Sequence, residues 1–486
     1  MALISRYAAR YAGALALASG LALSPALAQA PTPPPAPPPT PIAFEQALLN
    51  AANTLFSKAN LPIGSDRVPL IIEPLIDGFT GAQSITSRSM ERRISDLVRS
   101  DYRRFELLPF TTQSLDKQPV VLIGTFTAIN NAGVAGGPRD AYRICLALAD
   151  LKDKRIISKG ATRALPEGID PTPTSFFDDS PAFVKDPATD GLIRSCQASK
   201  LGEPLDPAYS DRMRVSVLVN DGIEAYNAGK FNDALNHYES AWRAPGGDQL
   251  RVLNGLYLAN WKLGRRDAAR DAFDRVVDYG LNAERMAVKF LFRPNAAQFT
   301  TDKGVRPQYD MWVAEIARRA TSADKCLEVS GHTSATGAAD LNEKLSLQRA
   351  EYVRDRLNEV AGKTAKRFAP VGVGPRQLIV GTGRDDSSDA LDRRVEFKTI
   401  PCAGITASSD KVVPAKASPD KPVSKAASKR PDGGEPEKAS EPAPKPKAAK
   451  RTASPKRYVD EDGNVRSQQV PGEVRRQLRK YGIDID

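Results

Sequence analysis

The spacing of apolar and polar positions changes several times along this chain. Apolar residues recur at helical spacing over residues 44–58, and an almost unbroken apolar run over 68–76 then reads as a strand. A second helix is expected at 87–100, with Met90, Ile94, Leu97 and Val98 on its buried face. Further runs at 105–110, 120–129, 142–150 and 156–164 predict strands. The second and third of these are separated by residues 130–139, which contain Gly133, Gly136 and Gly137 but neither the lysine nor the following helix of a phosphate loop. That segment predicts a hairpin between long antiparallel strands. Residues 42–205 therefore read as an α/β domain, and no nucleophile, base and orienting group can be proposed together in it.

From residue 212 to 280 the pattern turns helical and repeats. Gly229, Ala234, Tyr238 and Ala241 recur 35 residues on as Gly264, Ala269, Phe273 and Val276, the small and aromatic positions at which paired helices interlock. Helices are expected near 212–228, 231–243, 248–263 and 266–279. The segment 206–283 resembles two tetratricopeptide-type (TPR) repeats. Each such repeat buries its apolar face only against a neighbour, so two of them imply docking on a flanking domain or a partner. Tyr226, Tyr238, Trp242 and Trp261 are expected mainly in the packing between helices.

Leu327 and Val329 alternate with Glu328 and Ser330 as in a half-buried strand, which runs into a loop rich in Gly, Ser, Thr and Ala. Gly331 and Gly337 would let the backbone turn and a ligand approach it. Asp340 and Glu343 have the spacing of a capping box, and Leu341, Leu345, Val353 and Leu357 form an apolar stripe on the next helix. Arg349 lies on that stripe and should lean toward the loop, since helical side chains point toward the helix N-terminus. There it either grips a carboxylate with its planar fork or meets a neighbouring acid.

The segment SGHTSATGAADLNEKLSLQRA resembles the OmpA-like C-terminal domain, a peptidoglycan-associating module. The resemblance extends over residues 284–402: FRPNAAQF at 292–299 is similar to the family's first strand and turn, and DRRVE at 392–396 to its closing motif. It implies a small α/β sandwich that binds the diaminopimelate of the peptidoglycan stem peptide. Matched position by position, that role falls on Asn295, Thr333, Arg349 and Arg393. Ser334 stands where the family carries an aspartate, and Asp392 where it carries an asparagine. Residues 42–205 resemble, in strand order and a few small residues, periplasmic α/β domains of the curli-secretion and penicillin-binding-protein-activator type.

Composition and charge extend this picture at both ends. Arg6 and Arg10 precede an apolar run that ends in Ala26-Leu27-Ala28, so residues 1–28 read as a cleaved secretory signal. Residues 29–41 come next as a proline-rich polyproline II leader. No later apolar run is long enough to span a membrane. Residues 403–457 hold 13 Lys plus Arg against 6 Asp plus Glu and hardly a bulky apolar side chain, which predicts a disordered basic linker. Residues 458–486 suggest a short docking segment with an amphipathic helix. The formal charge of +11 comes with no nucleic-acid-binding motif, so an anionic wall polymer or membrane surface is the expected partner.

The four cysteines suit an oxidising compartment, and the domain map favours pairing Cys145 with Cys196 and Cys326 with Cys402. With two histidines and no CxxC, neither a metal nor a cofactor is expected. The sequence thus predicts a multidomain α/β plus α protein: an N-terminal α/β domain, a TPR-like segment, an OmpA-like sandwich and a basic tail. The expected function is a non-enzymatic periplasmic scaffold or adaptor. It would contact peptidoglycan through Asn295, Thr333, Ser334, Arg349 and Arg393, and an envelope protein through its helical repeats or C-terminal segment. The alternative is a structural component of an envelope or secretion complex whose OmpA-like fold has lost its ligand.

Overall fold

The computed structural model describes residues 40–405, apart from 62–66, 136–138, 184–185, 294, 363–365, 380, 382–388 and 390. The expected signal peptide, the leader up to residue 39, Gly136, Gly137 and the tail from residue 406 lie outside the described residues.

The first segment builds a mixed sheet flanked by helices. In order come α1 (Phe44–Ser57), β1 (Val68–Ile72), β2 (Ile76–Asp77), α2 (Ile85–Asp101), β3 (Phe105–Leu107), α3 (Thr112–Asp116), β4 (Val120–Ile129), β5 (Ala141–Asp150) and β6 (Arg155–Ala164). The strand order is β3-β1-β4-β5-β6, with β2 also on β4. As expected, β4 and β5 form an antiparallel hairpin, which runs in full register from Val120 opposite Asp150 to Ile129 opposite Ala141. Both faces of this sheet are buried, and period-two alternation divides the side chains between them. Leu122, Phe126, Ile144, Leu146 and Leu148 pack with Leu48, Leu55, Met90 and Ile94 of α1 and α2. Val121, Ile123, Cys145 and Ala147 face the other way.

Three helices from the next stretch of chain cover that second face. After α4 (Ser175–Asp179) and β7 (Ala182–Phe183) come α5 (Pro187–Gln197), α6 (Pro207–Ser210) and α7 (Met213–Asn227). Leu192, Ile193 and Cys196 of α5, Tyr209 of α6, and Met213 and Val217 of α7 cluster on Val121, Ile123 and Cys145. The first helix of the repeat segment is thus also part of the first domain's core.

Helices α7, α8 (Phe231–Arg243), α9 (Leu250–Lys262) and α10 (Arg266–Asn282) form two successive pairs close to the expected bounds. Gly229 and Gly264, 35 residues apart, both take the left-handed backbone conformation (φ 73° and 75°) that ends the first helix of each pair. The Tyr238 ring lies where Cβ atoms on Gly222 of α7 and Gly255 of α9 would come within 2.6 and 2.5 Å of it. Tyr226 and Tyr238 are buried as expected, whereas Trp242 is 38% exposed.

The same core runs on into the last segment: β8 (Arg285–Val288), α11 (Arg306–Ser322), β9 (Cys326–His332), α12 (Ala339–Ala361), β10 (Phe368–Gly374) and β11 (Val395–Ile400). Trp312 of α11 stacks on Phe273 of α10 at 5.6 Å and donates its Nε1–H to the Tyr257 hydroxyl of α9 at 2.9 Å. The second sheet has the order β10-β9-β11-β8-β7. Its edge strand β7 comes from residues that sequence reasoning placed in the first domain.

Two local expectations are corrected by the structure. Asp340 is not a cap: α12 starts at Ala339 behind Ala338, with no side-chain cap hydrogen bond. The buried face of α12 is Asn342, Ser346, Arg349, Ala350, Val353 and Leu357, while Leu341 is 58% exposed. Gly331 does not turn the chain either. It lies inside β9, where a Cβ would meet the Ser346 carbonyl oxygen at 2.1 Å, so it serves the close crossing of strand and helix.

Candidate functional site

β9 is the centre of the second sheet, parallel to β10 and antiparallel to β11. The C-terminal ends of β9 and β10 and the N-terminal end of β11 therefore meet at one edge. Thr333 and Ser334 leave β9 there, 3% and 6% exposed. The Thr333 amide donates to the Gly374 carbonyl at 3.1 Å and the His332 amide to the Arg394 carbonyl at 3.0 Å, which anchor the start of the loop on both neighbouring strands.

Residues 292–299 form a turn closed by an antiparallel bridge between Phe292 and Phe299 and by the Arg293 amide on the Gln298 carbonyl at 2.9 Å. The strand expected here lies earlier, at Arg285–Val288. Asn295 sits exposed at the tip in the left-handed conformation, φ 51°, a geometry that Asn tolerates. Arg349 reaches this turn from α12: its Nε–H donates to the Ala296 carbonyl at 3.2 Å, and its guanidinium carbon lies 4.7 Å from the Phe292 ring centroid. Its neighbours thus include a carbonyl and an aromatic ring of the turn.

Asp392 and Arg393 approach from the stretch before β11. The Asp392 carboxylate is fully buried and accepts the amides of Ile379 at 2.5 Å and Gly381 at 2.7 Å, so it organises its own loop. Arg393 is half-buried.

Sequence reasoning missed a buried ionic cluster beneath this edge. Arg394 and Glu396, two apart on β11, share a face and pair through Nε and Nη2 to Oε1 at 2.8 and 2.6 Å. Arg285 holds the other oxygen, Oε2, at 2.5 and 3.0 Å. Burial works to raise the Glu396 carboxyl, but the guanidinium groups of Arg394 and Arg285 outweigh it and hold it below the usual range. His332, 1% exposed, is pushed down to about 3 by burial and by Arg394, and so is neutral. The signal was present in the Arg-Val-Glu alternation, whose outer residues point to one side.

One expected disulfide is formed: Cys326 at the start of β9 joins Cys402, just after β11, with Cα atoms 5.2 Å apart. The other expected pair is brought together but not bonded. Cys145 and Cys196 are buried thiols with sulfurs 2.7 Å apart, because β5 and α5 press them face to face.

The OmpA family profile matches residues 291–390, which hold the turn, the Thr333–Ser334 loop and Arg349. Residues 291–390 are an OmpA family domain. Relatives of this domain include outer membrane protein Omp38 of Acinetobacter baumannii, 33% identical over 104 residues, or 21% of this chain and 29% of that protein. The chain thus spans less than a third of the length of the curated relatives it matches. Similar solved structures include the cell wall anchor of the T6SS from Pseudomonas aeruginosa, at 24% identity over 24% of this chain and 79% of that one, TM-score 0.20. Another is the peptidoglycan-associated lipoprotein from Burkholderia pseudomallei, at 24% identity over 24% of this chain and 92% of that one, TM-score 0.20. No helix among the described residues is long and apolar enough to cross a membrane.

Proposed function

We propose that this protein is a non-enzymatic envelope scaffold of the periplasm. Its OmpA family domain associates with peptidoglycan, and its helix pairs α7 to α10, read as TPR-like repeats, recruit an envelope protein. The reading is supported by the Thr333–Ser334 loop and the Arg393 stretch, where β9 ends and β11 begins, and by the tether of Arg349 to the Ala296 carbonyl of the Asn295 turn. Diaminopimelate is a zwitterion, and each of its charges needs a partner when it leaves water. Arg349 and Arg393 offer cations for a carboxylate. The ammonium meets the Thr333 and Ser334 hydroxyls, since Asp392 is already engaged by two amides. Recruitment of a partner is supported by the groove between α8, α9 and α10, where exposed Trp242 lies 5.3 Å under the Arg275 guanidinium.

The test is sedimentation of the protein with insoluble peptidoglycan. Binding that free diaminopimelate competes away and that Arg349→Ala removes supports the reading. A second reading, an OmpA family fold that has lost its ligand and serves only as structure, is favoured by Ser334 in place of a carboxylate. Absence of sedimentation selects it.

A further inference from the structure

A cleft lies where Thr80–Ala82, the α4–β7 segment, α9, β8 and the Leu391–Arg394 stretch meet. Phe176, Phe177, Pro173, Leu250 and Leu391 give it apolar walls. Arg251, Lys289, Arg394 and Asp186 line it, and beside them Asp178 and Asp179 face Lys289 and Glu73 faces Arg251.

The engagements of these groups decide what the cleft can hold. Arg394 is committed to Glu396. The oxygens of Asp186 accept the Thr189 amide at 2.8 Å and its hydroxyl at 3.2 Å. Lys289, with 11% of its side chain exposed, is ion-paired with Asp178 at 3.6 Å and also faces Asp179. Arg251 donates to the Gly81 carbonyl at 3.0 Å and its guanidinium carbon lies 5.9 Å from the Phe177 ring centroid. Burial lowers the pKa of both cations, the mark of charge held away from water. Asn254, 4% exposed, donates to the Ala182 carbonyl at 2.9 Å and leaves its own Oδ1 without a partner among the described residues. A buried carbonyl oxygen without a donor is costly, so an arriving N–H would be favoured.

We infer that this cleft binds an N-acylated apolar amino acid, the chemistry found at the C-terminal end of a short peptide. Its carboxylate meets Lys289 and Arg251, its amide N–H meets Asn254 Oδ1, and its side chain packs between Phe176, Phe177 and Leu391. Both charge and N–H are needed, because the walls alone would take any apolar body.

Calorimetric titration of the full chain with N-acetyl-L-leucine, its primary amide and 4-methylpentanoate tests each element. The acid is expected to bind at least tenfold tighter than the uncharged amide, and tighter than 4-methylpentanoate, which lacks the N–H. Lys289→Met should weaken the acid toward the affinity of the amide, with Arg251 keeping the remaining preference, and should leave the amide unaltered. Ala82→Trp, which fills the cleft from a half-buried loop position, should abolish both and provides the check if Lys289→Met does not fold. Acetyl-Ala-Ala-Leu binding tighter than N-acetyl-leucine identifies a peptide end as the ligand, and equal binding identifies the small acid. Equal affinities for acid and amide, or no binding of either, overturn the inference.

Discussion

Arg349 donates its Nε–H to the main-chain carbonyl of Ala296, so the middle of α12 is pinned to a turn 53 residues earlier in the chain. The bond fixes the plane of the guanidinium, and a fixed fork loses less entropy when it meets a carboxylate.

Arg349→Lys keeps the charge and removes the fork. It should lower peptidoglycan sedimentation nearly as far as Arg349→Ala does, while the melting temperature falls less than in the alanine variant. Equal binding by the lysine variant and the parent would show that charge alone suffices and that the geometry at Ala296 is incidental.

Ser334→Asp should act in the opposite direction. A charge-assisted hydrogen bond is worth about 1.5–3 kcal/mol, so a carboxylate here should tighten binding roughly 10- to 100-fold. The readout is the concentration of peptidoglycan at half-sedimentation, with Arg349→Ala on the same background as control. An unchanged midpoint would mean that no ammonium docks at residue 334.

Tyr238 sets a third expectation. Its ring fills the space that Gly222 and Gly255 leave open, so alanine at either glycine should overpack the helix pairs and cost about 1–3 kcal/mol. Gly229→Ala meets no atom within 4 Å and bears only the strain of its positive φ, so it should cost about 1–2 kcal/mol. The Tyr238 hydroxyl is buried with no hydrogen-bond partner among the described residues, and Tyr238→Phe should be neutral or stabilising. Urea titrations rank all four. A destabilised Tyr238→Phe would show that the hydroxyl has a donor or acceptor in solution.

How readily the sequence displays each of these features depends on how local its cause is. β4 and β5 are legible because both faces are buried and the apolar run is nearly continuous. The helix pairs are legible because Gly229 and Gly264 repeat the same backbone requirement at a fixed spacing. Strand β7 is not, since two residues carry no period and their pairing with β8 is set by contacts over 100 residues away. Nor is the start of α12: Asp340 and Glu343 match the spacing of a cap, but the loop geometry puts Ala338 at the cap position. Of the candidate site, the residue types and their order were readable, while the tether of Arg349 to Ala296 and the use of Asp392 as a loop anchor depend on how α12 and the 379–381 stretch lie on the sheet.

The cysteines separate into two expectations. The Cys326–Cys402 bond closes a loop of 76 residues, so Cys326→Ser should cost about 2–5 kcal/mol and reduction should match it. Cys145 and Cys196 touch as thiols at 2.7 Å, so a mild oxidant should link them with little movement and little change in melting temperature. Peptide mapping without reductant reads both. A crossed pairing would contradict the fold.

The last expectation concerns pH and rests on two carboxyls in the first domain. Burial pushes Glu73 up to about 7 against the opposing effects of the Tyr209 hydroxyl and Arg251, and pushes Glu91 up to about 7 although it accepts the Leu75 amide. Between about 4.5 and 7 the folded chain keeps protons that the unfolded chain has released, so each group's contribution is full below 4.5 and lost as pH rises through 7. At 1.36 kcal/mol per unit this amounts to roughly 3 kcal/mol per group at most. His332 has the opposite sign. It is held neutral down to about 3 where the unfolded imidazole takes a proton near 6.5, so its contribution is present above 6.5 and lost as pH falls. A melting curve of the parent protein sums these effects, and the difference between it and Glu73→Gln isolates one. The glutamine variant should be no more stable than the parent at about pH 5 and more stable at about pH 8, with the gap opening between these limits. A gap that stays constant across this range would show that Glu73 does not titrate there, and that Tyr209 and Arg251 keep it ionised throughout.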